Sequence, residues 1–549
     1  MVREDVTRWS RYWFADGGRV AAAVVRIAIA TAVLMSLWRI AQKVSTTEIV
    51  ETHALYRPVG VWMLLGHTPP PEALVTALWV LAWAATAAMW LGAATRASTA
   101  VSFVASVALA SLSFAQSRTW SHQYNVVFLA QLAFLGARGG DTLSVDALVL
   151  RLRGKSLTRG IDLPRAYQWS VRLVQLAVAL MFAGAAFHKL LHGHFTLRWA
   201  LSDNLRNQLL VRFDLAALPR PPIVDWIIDD VWRYRTVAVL NLVSQTLPLA
   251  ACFLMRRPIL RALCGAFFVI ETIALDQVVA LWNPHWLPLA AVFVDWDALV
   301  ARIARRPPSV PAPPPGWQPR RAIRWFVIAF VAYDALTAFV PTLDQKLNTY
   351  PFSSFPMFAT VRVRPPYGEH LPYSVAGDHF EVLSDHPIDG RIQRWFDYQH
   401  RGMAEVRDPD QLRARLAALL ADARERYPEF GIHGVRLYLM IFESPAYPAP
   451  AHFEAHPIAI LGELDQPAAS PRPGAFRTML GRLDGDLAVP VPRGLDPTGA
   501  RYVYYRDDQP HPIDMPDGRV GEGDPIFAVA ITRDGLPWLV AIRADWRWQ

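Results

Sequence analysis

Apolar residues concentrate in nine stretches, at about 20–41, 72–95, 98–116, 123–137, 168–191, 236–255, 259–280, 284–299 and 323–341. Crossing the hydrocarbon of a bilayer takes about 20 apolar residues as a helix, so the pattern predicts nine membrane spans. The fourth and eighth stretches are short. The eighth is broken by Pro284 and Pro288, which neighbouring helices would have to cover. Beyond residue 341 the pattern changes to that of a water-soluble protein. Asp408 reads as an N-cap with Pro409 at the first helical position, and Leu412, Leu416, Leu419 and Leu420 form the apolar face of a helix ending near Tyr427. Val435–Phe442, Arg501–Tyr505, Ile526–Thr532 and Leu536–Ile542 read as strands, the last two joined by a turn at Asp534-Gly535. No repeat of fixed period is visible along the chain.

Charge assigns sides to these spans. Arg96 follows the second stretch. Arg138, Arg151, Arg153, Lys155, Arg159 and Arg165 follow the fourth, Arg256, Arg257 and Arg261 the sixth, and Arg302, Arg305, Arg306, Arg320, Arg321 and Arg324 the eighth. With nine spans all four clusters fall on one side, which the positive-inside tendency makes cytoplasmic. The expected fold class is therefore an all-α polytopic membrane bundle of about nine transmembrane helices with a C-terminal extracytoplasmic α+β domain. Residues 1–19 would be a cytoplasmic segment, 20–300 the main bundle, 301–322 a cytoplasmic proline-rich linker, 323–341 the last span and 342–549 the outer domain.

Composition supports a membrane class. The 549 residues are 53% hydrophobic, with 21 Trp and a formal net charge of +8. The basic excess lies in short loops between apolar stretches, so it reads as topology and not as a nucleic-acid surface. Cys252 and Cys264 both sit in apolar stretches and offer neither a disulfide framework nor a thiolate metal site. The N-terminus is too charged for a cleavable signal peptide, so the first span is expected to stay in the membrane.

Candidate chemistry comes from ionisable groups at the edge of, or inside, apolar stretches, where charge is costly. His122 lies in Trp120-Ser121-His122-Gln123-Tyr124, at the entry to the fourth span. Lys189 follows His188 at the exit of the fifth. The topology puts both on the outer side, an arrangement suited to proton chemistry, although a lysine at a helix end also fits a side chain that snorkels to the interface. Glu271 and Asp276 lie inside the seventh stretch and should be neutral or paired, with Arg26 of the first span a candidate partner. His188, His192 and His194 invite a metal, but Gly193 should end the helix between them and no carboxylate completes the set, so no metal is expected.

These residues resemble a known family. Trp120-x-His122-x-Tyr124 followed by Ser144-Val145-Asp146, and Ala185-Ala186-Phe187-His188-Lys189-Leu190, are similar to segments of the HTTM (horizontally transferred transmembrane) proteins, distant relatives of vitamin K-dependent γ-carboxylase. Val24-Val25-Arg26-Ile27 also resembles the family's first helix. The resemblance covers roughly residues 20–300 and implies that Lys189 aligns with the family's catalytic base. Kept neutral, it would deprotonate a reduced, vitamin K-like quinone. Reaction with oxygen would give an epoxide and a strong base, which would take a proton from a glutamyl side chain of a secreted peptide before carbon dioxide adds. His122 would support later steps, and Trp120 and Tyr124 would help hold the quinone. Departures are His188 in place of the first lysine of the family's pair, and Ile273 where a histidine is expected, with Glu271 or Asp276 available to replace it. The implied setting is a bacterial inner membrane. A reading from another class is a non-enzymatic membrane protein that matures, exports or anchors a secreted partner.

Overall fold

A computed structural model gives the architecture. It describes residues 9–43, 56, 58–115, 122–154, 166–214, 219–305, 320–340, 350–352 and 357–363 apart from 16 and 67, and further on 373–388, 392, 396, 409–444, 447–448, 454–465, 501–506, 526–531 and 537–541. Residues 306–319 of the proline-rich linker and the N-cap expectation at Asp408 lie outside these residues.

Helix α1 (Arg19–Lys43) is followed by a 3-10 turn (Gly60–Leu65), the hairpin α2 (Glu72–Leu91) and α3 (Thr95–Phe114), a 3-10 turn (His122–Tyr124), α4 (Asn125–Ala133) and α5 (Val145–Leu152). Then come α6 (Gln168–His192), the short α7 (Arg198–Leu201), α8 (Asn204–Asp214) and α9 (Pro222–Ile228). The hairpin α10 (Val231–Ala251) and α11 (Pro258–Val279), a 3-10 helix (Pro284–Phe293), α12 (Trp296–Ile303) and α13 (Arg321–Phe339) complete the bundle. Among the described residues six helices, α1, α2, α3, α6, α11 and α13, are long and apolar enough to cross a membrane.

This differs from the nine expected stretches at identifiable places. The fourth is a nine-residue helix ending ahead of Gly136, whose φ of 75° suits glycine. The eighth forms a 3-10 helix with Pro288 inside it; proline has no N–H to donate to an α-helical ladder. The sixth is a 21-residue helix, α10, whose polar residues keep it out of the set of six.

Helix α6 is the axis of the bundle, with nearly every residue from Trp169 to Ala186 buried. It runs parallel to α13: Trp169 meets Phe326 edge-on at 6.0 Å near one end, and Gly184 lies against the Ala338 carbonyl near the other. A Cβ at Gly184 would sit 3.4 Å from that oxygen, so the small residue sets the close approach of the two helices. Phe182 ties α6 to α11 and to the 3-10 helix 284–293, with ring centroids 5.4 Å from Phe268 and 6.0 Å from Trp286.

Polar loops are fastened by charges that read from sequence as chemical candidates. Arg26, buried in α1, donates to the carbonyls of Gly139 (2.7 Å) and Leu143 (2.6 Å) and does not approach Glu271 or Asp276. In place of the candidate ion pair, Arg26 clamps the α4–α5 loop, because bare carbonyls at the loop satisfy a guanidinium fork well. Ser144 caps α5, accepting from the Ala147 N–H at 3.0 Å. Asp146 caps α3, accepting from the N–H groups of Ala94 (2.8 Å) and Thr95 (2.9 Å). The Ser-Val-Asp segment therefore has a capping role.

Beyond α13 the described elements are α14 (Pro409–Arg426) and six strands. Strands β1 (Tyr373–Ser384), β2 (Ile432–Ser444) and β3 (Glu454–Asp465) form one antiparallel sheet; β4 (Arg501–Arg506), β5 (Ile526–Ile531) and β6 (Pro537–Ala541) form another. Leu416, Leu419 and Leu420 of α14 are buried, as its periodicity predicts.

Candidate functional site

Past the basic residues of its first turns (Arg233, Arg235), helix α10 is mainly apolar but carries a polar patch at Asn241, Ser244 and Gln245. Spacing of three and four residues puts these side chains on one helical face. That face meets α6 on one side and α11 on the other, and each neighbour presents one buried ionisable group to it. Lys189 of α6 is 2% exposed and Glu271 of α11 is 3% exposed.

The two carboxamides bridge these groups. Lys189 Nζ donates to Asn241 Oδ1 and, at 3.0 Å, to Gln245 Oε1. Asn241 Nδ2 donates to Glu271 Oε2 at 2.8 Å, and Gln245 Nε2 to the same oxygen at 3.3 Å. Ser244 Oγ donates to Glu271 Oε1. Each amide turns its oxygen to the lysine and its NH2 to the glutamate, the orientation that opposite charges select. The third side of Lys189 is the face of Trp199, whose ring centroid is 4.4 Å from Nζ. A proton on Nζ is thus met by two carbonyl oxygens and a π face, and the carboxylate by three donors. That satisfaction is what two ionisable groups need at a buried site.

This centre forms the polar end of a cavity of about 420 Å³. Its walls are aliphatic and aromatic, among them Leu209, Val237, Leu240, Leu247, Phe267 and Ile270. Met357 and Phe358, from the chain after α13, close another side. The strap that carries them is pinned to α7 and α8. Trp199 Nε1 donates to the Phe358 carbonyl at 2.8 Å, Gln208 Nε2 to Thr360 O at 2.6 Å, and Asn207 Nδ2 to Arg362 O at 2.7 Å. Trp199 therefore touches both the lysine and the strap.

Of the residues expected from sequence, Lys189 and Glu271 come together. Asp276 lies further along α11, away from the cavity lining, where Gln277 donates to it at 2.7 Å. His188 is adjacent to Lys189 in sequence but faces α13; it is fully buried, with Nε2 2.9 Å from the Ala338 carbonyl. His122 and Tyr124 stand on that second side of α6, outside the cavity lining. Burial and nearby His188 push the His122 pKa down to about 4. Tyr124 is buried 5.2 Å from the ring of His285, which lies within hydrogen-bonding distance (2.6 Å) of the Gln123 carbonyl. Trp120 lies outside the described residues. Among the described residues no three His, Cys, Asp or Glu side chains converge as metal ligands would.

Sequence reasoning missed Asn241, Ser244, Gln245, Trp199 and His285. The signal for the first three was available: they are polar residues at helical spacing within an apolar helix, and membrane interiors tolerate such groups when they have partners. The chain matches no family model, no curated protein and no solved structure.

Proposed function

We propose that this chain is a multi-pass membrane enzyme of the HTTM type, related in chemistry to vitamin K-dependent γ-carboxylase, with Lys189 as the base. The observation that carries the reading is the meeting of Lys189 and Glu271, through Asn241 and Gln245, at the polar end of an apolar cavity. An apolar chamber with one basic group suits a reduced, vitamin K-like quinone, whose ring and side chain would contact Leu240, Phe267 and Ile270 and whose hydroxyl would face Nζ. The quinone supplies oxygen-dependent redox chemistry when bound. The chain's own residues handle the proton. Neutral Lys189 takes it from the hydroxyl, and the ammonium so formed is held by Asn241 Oδ1, Gln245 Oε1 and the Trp199 face. Glu271 balances the charge from beyond the carboxamides. In this reading nine segments cross a bacterial inner membrane, the N-terminus is cytoplasmic, and residues 342–549 meet a secreted peptide outside.

One observation favours the non-enzymatic alternative, a scaffold for a secreted partner: His122 does not line the cavity that holds Lys189. Oxygen-dependent turnover of a reduced naphthoquinone by purified protein in detergent decides between them. The enzyme reading predicts epoxide formation that Lys189→Ala abolishes. Absence of turnover in both proteins, across several quinones, contradicts it.

A further inference from the structure

Once the helices are set in register, the bundle contains the same unit twice. Val25-Arg26-Ile27, Leu34-Met35 and Lys43 of α1 match Val171-Arg172-Leu173, Leu180-Met181 and Lys189 of α6 without a gap. Arg96-Ala97 and Phe103-Val104 of α3 match Arg261-Ala262 and Phe268-Val269 of α11, which sets Ser106 against Glu271. Each unit has a long first helix, a helical hairpin, a short fourth element and then a short amphipathic helix, α5 or α12. The first helix of each unit packs on the fourth element of the other: α1 on the 3-10 helix 284–293, and α6 on α4. The two-fold pattern escapes a search for fixed period because the connections differ in length, α7, α8 and α9 being inserted in the second unit.

The closest match is in the amphipathic helices. Asp146-Ala147-Leu148-Val149-Leu150-Arg151-Leu152 and Asp297-Ala298-Leu299-Val300-Ala301-Arg302-Ile303 share residue type at nearly every position. Both are N-capped by the residue two before the aspartate: Ser144 accepts from Ala147 N at 3.0 Å, and Asp295 from Ala298 N at 3.2 Å. Both aspartates cap a long helix, Asp146 at the start of α3 and Asp297 at the start of α1, through Val20 N (3.2 Å) and Ala21 N (3.3 Å). Both helices are thereby fixed at one end of the bundle, and each presents an apolar stripe at the same spacing. Leu148 is 55% exposed, Leu152 78% and Ile303 74%. Arg151, Arg153, Arg302 and Arg305 flank the stripes and are exposed.

We propose that α5 and α12 are a duplicated pair of membrane-surface anchors. Their apolar stripes sink into the headgroup–acyl boundary, and their arginines bind anionic phospholipid headgroups. An aliphatic stripe bordered by Arg is the chemistry that an anionic leaflet recognises. The position of both helices directly after short apolar elements, at one bundle end, places the stripes at membrane depth. The proposal requires membrane embedding but not the enzyme reading.

The test uses full-length protein in nanodiscs, with Cys252 and Cys264 replaced by alanine and a spin label at Leu152→Cys or Ile303→Cys. Glu429→Cys in the tail serves as the aqueous reference. Both anchor labels should collide with dissolved oxygen and be shielded from an aqueous nickel chelate, unlike the reference. Arg151→Gln/Arg302→Gln should retain roughly two-fold less phosphatidylglycerol through purification than the parent protein. Labels as open to the nickel chelate as the reference would overturn the proposal and leave these stripes for a soluble protein. Lipid-embedded labels with unchanged phosphatidylglycerol retention would overturn the headgroup assignment.

Discussion

Lys189 and Glu271 are each expensive to bury and acceptable together, and their energetics are correspondingly asymmetric. Lys189→Met leaves Glu271 buried against neutral amides and should destabilise the protein by about 3–5 kcal/mol, whereas Lys189→Met/Glu271→Leu should recover most of that loss. Thermal unfolding of the two variants in one detergent checks this, and equal losses would mean that the two groups are not coupled. Asp334 is the contrasting case. It is 3% exposed in the buried face of α13, and its Oδ2 has no hydrogen-bond partner among the described residues. Asp334→Leu is therefore expected to raise stability by about 1–3 kcal/mol, the desolvation penalty of an unsatisfied polar group. A lowered melting temperature would instead give Asp334 a role that its surroundings do not reveal. At this scale the sequence was informative where a charge stood alone in an apolar run, as Lys189 and Glu271 do. It was misleading about neighbours. His188 and Lys189 are adjacent, yet successive helical residues point about 100° apart, which sends one to α13 and the other to α10.

Helix ends carry the strongest local determinants. Asp146 and Asp297 each accept backbone N–H groups from a helix distant in sequence, so each joins two elements as well as capping one. Asp146→Ala and Asp297→Ala should each cost about 1–2 kcal/mol, read as a lowered melting temperature, with Asp→Asn losing less. Long spans were legible to within a few residues because their apolar runs outlast any competing signal. The fourth and eighth fell short of long α-helices, the fourth ending at Ala133 ahead of Gly136 and the eighth following a 3-10 path through Pro284 and Pro288. In the tail, β2, β4, β5, β6 and α14 followed from their patterning. Strands β1 and β3 did not, because residues such as Gly377 and His379 in one and Pro457 and Gly462 in the other interrupt the alternation. The strap at Met357–Val363 also belongs to this scale. Trp199→Phe removes its bond to the Phe358 carbonyl but keeps the ring over Lys189, and should speed ligand exchange in stopped-flow fluorescence without loss of fold.

Across the whole molecule, the duplicated architecture is used unequally. The second unit holds the lysine, the carboxamides and the glutamate around a cavity, while the first has Ser106 in the register of Glu271. One ligand per chain is the expected stoichiometry. His122 lies near His188, the neighbour of Lys189, but the sequence could not show that the two candidates fall on different faces of α6, with His122 outside the cavity lining. Only Lys189 reaches the cavity, which narrows the chemistry argued for this site to a single base with its charge-balancing acid. Photolabelling with a diazirine-bearing prenylated naphthoquinone, followed by peptide mapping, tests that claim most directly. About one label per chain is expected, on the α10 and α11 segments around Leu240, Phe267 and Ile270, displaced by unlabelled quinone. Labels spread over the outer apolar surfaces of α2 and α13, with none displaced, would contradict it.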